Sequence, residues 1–295
     1  MQIVMLGHTN AGKTSYMSAM YRTMALEGIG GFRVRAKNER AHQQLLTAGT
    51  GLLRGTYPAP SDRRHEYTLT LRHAASPLID FTWKDHRGGA LRDRSTVDDT
   101  RELLEDLTGA DAIVLFLDSV DLQNSEAARR KIRNLTTVVF QALENRTGTT
   151  PIVIALTKCD LIDESRIDRM LEPFGSFIQA IRQQQYVIGT LVPMACGPEP
   201  RNVDVPVLFC LYFGVRHHAD AMVANLNEAA ASARRFAARD TAYDRWINGR
   251  LRGEKTNREL AADAYLKAER EYRRLEPMLR PIQQLEHLLG PIEIF

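Results

Sequence analysis

The segment Gly7-His8-Thr9-Asn10-Ala11-Gly12-Lys13-Thr14 fits the spacing G-x-x-x-x-G-K-[ST], and each fixed position has a chemical reason. The two glycines let the backbone curl so that successive N–H groups point inward and form an anion nest. A helix starting just after Gly12 adds its positive dipole end, which suits phosphate. Gly7, Asn10, Ala11, Gly12, Lys13, Thr14 and Ser15 are therefore the candidate phosphate-binding residues. The Lys13 ammonium can reach the outer phosphates and stabilise charge during their transfer. The Thr14 hydroxyl is an oxygen donor of the kind Mg²⁺ takes alongside phosphates and water. The plain alternative is a glycine-rich turn with an incidental lysine. The apolar run Gln2 to Leu6 before the segment and the helical pattern after it argue against that alternative.

Three further segments narrow the chemistry. Asp85-His86-Arg87-Gly88 follows a strand-like stretch ending at Trp83. In that place a carboxylate can hold Mg²⁺ through water, and the Gly88 amide can meet a terminal phosphate. Thr157-Lys158-Cys159-Asp160 follows the apolar run Ile152 to Leu156. The Asp160 carboxylate can accept both N–H donors on the Watson–Crick edge of guanine, a pair that adenine does not present. Pro193-Met194-Ala195-Cys196 follows the run Tyr186 to Val192, and a backbone N–H at Ala195 or Cys196 can meet the guanine oxygen. All of these segments stand in order at the C-terminal ends of expected strands, where open α/β sheets bind ligands.

The elements that must position them follow from periodicity. Strands are expected at Gln2–Leu6, Phe32–Arg35, Tyr67–Leu71, Leu78–Trp83, Ala112–Leu117, Ile152–Leu156 and Tyr186–Val192. The third and fourth form an antiparallel hairpin. Helices are expected at Lys13–Glu27, Asn38–Leu53, Val97–Leu107, Ser125–Asn145 and Arg166–Gln184, the last with a break near Pro173 and Gly175. Strand and helix in alternation argue for a mostly parallel sheet with helices on both faces. From Val205 the strands stop. Val207–Val215 is apolar enough to pack on the sheet, with Asp204 and Pro206 at its start. The remainder is helical, and Thr256-Asn257-Arg258-Glu259 fits a capping box for a helix ending near Pro277.

Composition sets the limits. The 295 residues are 44% hydrophobic and 25% charged, with a formal net charge of +3. That mild excess neither requires nor excludes an acidic partner, and no nucleic-acid partner is expected. Cys159, Cys196 and Cys210 are few and widely spaced, so neither a disulfide framework nor a zinc site is expected. There is no apolar run of membrane-spanning length and no secretory-signal pattern, so the expected location is the cytoplasm.

With these motifs in place, the sequence resembles the Ras-like GTPase superfamily over residues 1–218. His8 to Thr14 is similar to the Arf-like branch, and Thr-Lys-x-Asp to the Rho branch. The insertion at about 28–60 and the helical extension over 219–295 look like bacterial GTPases of the double-GTPase type. The resemblance implies a Ras-like, mostly parallel six-stranded sheet with a C-terminal helical extension. It implies GTP or GDP as ligand, with Mg²⁺ held by Thr14, Asp85 and a first-switch hydroxyl. Ser61 lies nearer the next strand and is favoured for that hydroxyl over Thr56; both can also be plain loop residues. The implied activity is a switch that hydrolyses GTP and meets a protein effector or regulator.

One departure bears on catalysis. Where Ras and Arf relatives carry a water-orienting glutamine, this chain has Gly89. His86 and Arg87 are the nearest substitutes, Arg87 as an arginine finger in cis; solvated switch residues are the alternative. Hydrolysis is therefore expected to be slow, and the competing reading is a GTP- or GDP-dependent interaction module with little or no turnover. The extra strand and helix over Phe32–Gly55 suit an effector or homodimer contact no better than a structural role. His217-His218 reads as a solvated helix face, Cys159 as a packing residue, and the interspersed charges of Arg234–Arg280 as solvated. Ala268, Tyr272, Leu275, Leu279 and Ile282 recur at helical spacing, but Pro277 and Pro281 are expected to interrupt that seam and leave a hairpin.

Overall fold

The computed structural model describes all residues except 60–63, 86–96, 124–125, 145–147, 164–171 and 253. The expectations for Ser61, His86, Arg87, Gly88 and Gly89 lie outside the described residues.

Among the described residues seven strands form one sheet: β1 (Gln2–Gly7), β2 (Phe32–Ala36), β3 (His65–His73), β4 (Ser76–Asp85), β5 (Ala112–Asp118), β6 (Thr150–Thr157) and β7 (Val187–Pro193). Their spatial order is β2-β3-β4-β1-β5-β6-β7. The pairs β4–β1, β1–β5, β5–β6 and β6–β7 are parallel, while β2–β3 and β3–β4 are antiparallel. The count is seven rather than the expected six because the inserted strand β2 joins the same sheet beside β3.

Burial explains which runs became which strands. β5 and β6 lie inside the sheet and are buried along almost their whole length, as parallel strands covered on both faces must be. β2 and β3 at the margin alternate buried and exposed residues. Helices α1 (Lys13–Arg22), α2 (Glu39–Leu52), α3 (Val97–Thr108), α4 (Glu126–Leu143) and α5 (Gly175–Arg182) flank the sheet. One core joins Val4, Leu115 and Ile154 of the sheet to Leu103 and Leu107 of α3, Leu135 and Val139 of α4, and Phe177 and Ile181 of α5. On α1, the Tyr16 ring meets Phe116 and Trp83 at centroid distances of 5.0 and 5.9 Å.

The inserted segment is tied to the phosphate-loop helix. Tyr21 of α1 is fully buried, and its hydroxyl accepts the Ala36 N–H at 2.9 Å and bonds His42 Nδ1 at 2.6 Å. Gly49 lets α2 approach α1 closely, since a Cβ there would stand 2.5 Å from the Ser18 carbonyl oxygen. Asn38 caps α2 by accepting the Ala41 N–H.

The chain divides into two compact units, Met1–Gly214 with Leu285–Phe295, and Val215–Gln284. In the first unit, residues near the C-terminus return to the sheet. Gly189 and Phe295 exchange backbone hydrogen bonds of 2.7 and 2.9 Å, and the Thr190 hydroxyl donates to the Glu293 carbonyl. The Phe295 ring fills the space above Gly189, where a Cβ would be 2.2 Å away. The open side of β7 is thereby covered at Gly189 and Thr190.

Most of the second unit is two long helices that begin and end in the first, α6 (Val205–Arg239) and α7 (Asn257–Leu289). The α6 helix runs well past the expected end at Val215, because its Ala-rich continuation has high helix propensity and no breaker. The expected capping box forms at α7: the Thr256 N–H donates to Glu259 Oε2 at 2.9 Å, and the Glu259 N–H to the Thr256 hydroxyl at 3.3 Å. α7 does not stop near Pro277; Pro277 and Pro281 both lie inside it. An interior proline costs about 3 kcal/mol. Leu275, Met278, Leu285 and Leu289 are buried around the two prolines, and burial at about 1.5–3 kcal/mol each offsets that cost. His217 and His218 are exposed, as expected. Among the described residues no helix is long and apolar enough to cross a membrane, and no cluster of His, Cys, Asp and Glu is arranged to hold a metal.

Candidate functional site

A cavity of about 540 Å³ opens at the C-terminal ends of β1, β4 and β6, within the roughly 300–1,000 Å³ usual for small-molecule sites. Thr9 to Ser15 line one wall, with Asp85 beside them. Thr157, Lys158 and Asp160 line another, with Cys196 and Gly197 behind. The sheet register explains the meeting. Met5 pairs with Asp85 and Gly7 with Phe116, and Asp118 pairs with Thr157, so the ends of the three strands are stepped across the same edge of the sheet, two residues apart from β4 to β1 and two more from β1 to β6.

Gly7 is dictated by that packing, because a Cβ there would stand 2.6 Å from the Phe116 carbonyl oxygen. Gly12 takes φ +82 as it turns the loop into α1, in the left-handed region open to glycine. The loop then presents the first N–H groups of α1 to the cavity.

Lys13 is buried, and its ammonium donates to the Gly7 carbonyl at 2.8 Å and to the His8 carbonyl at 3.4 Å. Asp85 Oδ1 stands 4.0 Å from it. Burial lowers the Lys13 pKa, and the nearby carboxylate opposes the shift. Burial likewise raises Asp85 to about 6, with Lys13 pulling it back. Asp85 Oδ1 is buried with no hydrogen-bond partner among the described residues. An orphaned carboxylate oxygen facing a cavity that also holds Thr14 is the donor chemistry of a hard divalent cation, so the residues present fit Mg²⁺.

Thr157 ties the site together. Its hydroxyl lies 3.0 Å from the Ala11 carbonyl and 3.1 Å from the Leu117 carbonyl, joining β6 to the phosphate loop and to β5. Thr157→Val keeps the shape and removes the hydroxyl from a buried site. The expected cost is about 1–3 kcal/mol, read as a lowered Tm together with weakened ligand binding.

Lys158 takes φ 59 and pairs with Asp118, whose carboxylate also caps the turn Ser119–Leu122 by accepting the Val120 N–H. Cys159 points into the core, with Sγ 3.2 Å from the Leu156 carbonyl and 3.3 Å from Ser119 Oγ. It packs, as expected. Burial pushes the Cys196 thiol up to about 12, with Asp160 and Cys159 adding to the shift, so Cys196 stays protonated and unreactive.

Not every sequence candidate lies on the cavity. The Ala195 N–H donates to the Arg201 carbonyl, and Ala195 is absent from the wall, which Cys196 and Gly197 supply instead. Thr56 is exposed and off the wall. Sequence reasoning missed Thr9, Tyr57, Pro58, Ala59, Leu161 and Gly197. The Tyr57 hydroxyl stands 2.8 Å from where a Gly197 Cβ would be, so Tyr57 reaches the same wall as Asp160. An aromatic–proline pair in a loop between α2 and β3 was the available signal.

The Double-GTPase 2 family pattern matches residues 2–187. No match was found among curated proteins. Similar solved structures include a bacterial selenocysteine-specific elongation factor EF-Sec at 14% identity and TM-score 0.38, covering 72% of this chain and 28% of that one. The mammalian SRP receptor is similar at 12% identity and TM-score 0.42, covering 72% of this chain and 99% of that one. The Arl6 BBS3 small GTPase from Trypanosoma brucei, with bound GppNp, is similar at 11% identity and TM-score 0.43, covering 73% of this chain and 98% of that one. With its phosphate loop, its Asp85 and its Thr-Lys-x-Asp segment on one cavity, and with most of its length matched, the chain belongs to the Double-GTPase 2 family.

Proposed function

We propose that this chain binds GTP and GDP with Mg²⁺ and acts as a nucleotide-dependent switch with slow intrinsic hydrolysis. The observation that carries the reading is the single cavity shared by the phosphate loop, Asp85 and Asp160. When bound, Mg²⁺ would be held by Thr14 and Asp85 and would neutralise phosphate charge. The chain's own residues do the rest. The loop amides and Lys13 hold the phosphates, Asp160 accepts the guanine edge, and Thr157 keeps the two walls in register. Gly89 brings no side chain to orient water. Turnover is therefore expected at or below the order of 10⁻⁴ s⁻¹.

That same residue favours the second reading, an interaction module that holds its nucleotide without turning it over. The inserted β2–α2 segment, bonded to α1 through Tyr21, and the unit Val215–Gln284 are the proposed effector or dimer surfaces. The three free cysteines are all buried and suit a reducing, cytoplasmic setting.

The test is to identify the nucleotide released by denaturing the purified protein, followed by single-turnover hydrolysis. Bound GDP with slow turnover supports the switch. Bound GTP with no turnover supports the module, and ADP or ATP overturns the guanine assignment.

A further inference from the structure

One carboxylate outside the cavity holds one cation from the end of β4 and another from just before β3, at the candidate Mg²⁺ side of the site. Asp106 of α3 accepts Arg64 Nη2 on Oδ2 at 2.6 Å and Lys84 Nζ on Oδ1 at 2.8 Å. Arg64 also pairs with Glu102, one helical turn earlier on α3. The backbone carbonyl of Asp106 accepts Gln2 Nε2 at 3.2 Å, which anchors this turn of α3 to β1. The Asp106 and Lys84 side chains are only 12% and 15% exposed. A pair this shielded is screened little by water or salt.

The positions of the two cations give the cluster its meaning. Lys84 immediately precedes Asp85. Arg64 immediately precedes β3, next to His65, which pairs across the hairpin with Asp85. Lys84 and Arg64 therefore meet on Asp106 from the two sides of the His65–Asp85 pair. One side chain of α3 restrains the end of the hairpin that carries Asp85.

We propose that Asp106 is a positioning residue for the nucleotide site: it holds the Asp85 end of the β3–β4 hairpin against α3, and so sets how strongly Mg²⁺ retains the nucleotide. This inference rests on the guanine-nucleotide reading above. Asp106→Asn leaves one carbonyl oxygen and a misdirected NH₂ between two cations, which frees Lys84 and leaves Arg64 on Glu102 alone. Asp106→Glu keeps the charge and re-forms the contacts.

The test follows release of a fluorescent GDP from the full chain, once in excess Mg²⁺ and once in EDTA. Asp106→Asn should release GDP about ten-fold faster in Mg²⁺, within the usual range of coupling between sites, with the EDTA rate unchanged. Asp106→Glu should restore the Mg²⁺ rate. Lys84→Met, which removes one arm only, should give a smaller change of the same kind and serves if Asp106→Asn does not fold. Asp80→Asn, which breaks the exposed Lys37–Asp80 pair elsewhere on the hairpin, should change neither rate. An unchanged Mg²⁺-to-EDTA ratio overturns the latch, as does equal acceleration in both conditions, which would mark a merely structural role. A wild-type chain that binds no GDP overturns the nucleotide reading, and the latch with it.

Discussion

Lys13→Ala should abolish measurable nucleotide binding and leave the protein folded. Lys13 is a buried cation beside the loop, and its ammonium sits among the loop carbonyls at the cavity wall. Losing its charge-assisted contacts to phosphate oxygens should raise Kd by at least about 100-fold, about 3 kcal/mol. The effect on stability should be small for a reason visible in its pKa. Burial already disfavours the charged form, so truncation relieves a desolvation penalty while losing the bond to Gly7. Calorimetric titration with GTP and GDP reads the affinity, and thermal denaturation reads the fold. Wild-type affinity in the variant would remove Lys13 from the site.

The second large effect concerns the base. Asp160→Asn should lose the preference for guanine and gain one for xanthine. A carboxylate accepts two donors, whereas an amide accepts one and turns its own NH₂ toward the other. Leaving a donor opposed in a pocket costs roughly 2–4 kcal/mol, so GTP should weaken by about 100-fold or more. Xanthine carries a carbonyl where guanine has its exocyclic amine, so XTP meets the new NH₂ with an acceptor. Competition between GTP and XTP against a fluorescent nucleotide measures the exchange. Retention of the wild-type ranking would place base recognition elsewhere, with the Gly197 side of the cavity as the next candidate.

The central strands were legible because they are buried on both faces. The runs Ala112–Leu117 and Ile152–Leu156 have no polar residue to blur them. The hairpin was read too short because the outer residues of β3 and β4 are polar and half-exposed, where periodicity is weak. The return of Glu293–Phe295 to β7 was hidden. Three residues carry no period, and their partner Gly189 lies about a hundred positions away. A lone glycine inside an apolar strand was the one hint, since glycine there often marks the close approach of another group. At the site, the residues set by local spacing were readable: Gly12, Lys13, Thr14 and Asp160 all reach the cavity. The residues that hold them were not. Asp118 beneath Lys158 and Asp106 beneath Lys84 come from other elements, and no local pattern links a salt bridge to a partner 40 or 22 residues away.

The helices of Val215–Gln284 are an excursion from the sheet-bearing unit and not a tail, because Leu285–Phe295 belongs to that unit again. The distinction matters genetically. A premature stop codon anywhere in the excursion deletes more than helices. It also strips the cover from β7 and leaves its backbone N–H and C=O groups, with the gap over Gly189, facing solvent. Uncovered strand edges recruit other chains. Nonsense changes in this stretch should therefore yield aggregated product, whereas an in-frame deletion of the excursion that keeps Leu285–Phe295 should stay soluble. Two lesions that remove the same helices would then have opposite outcomes in the cell.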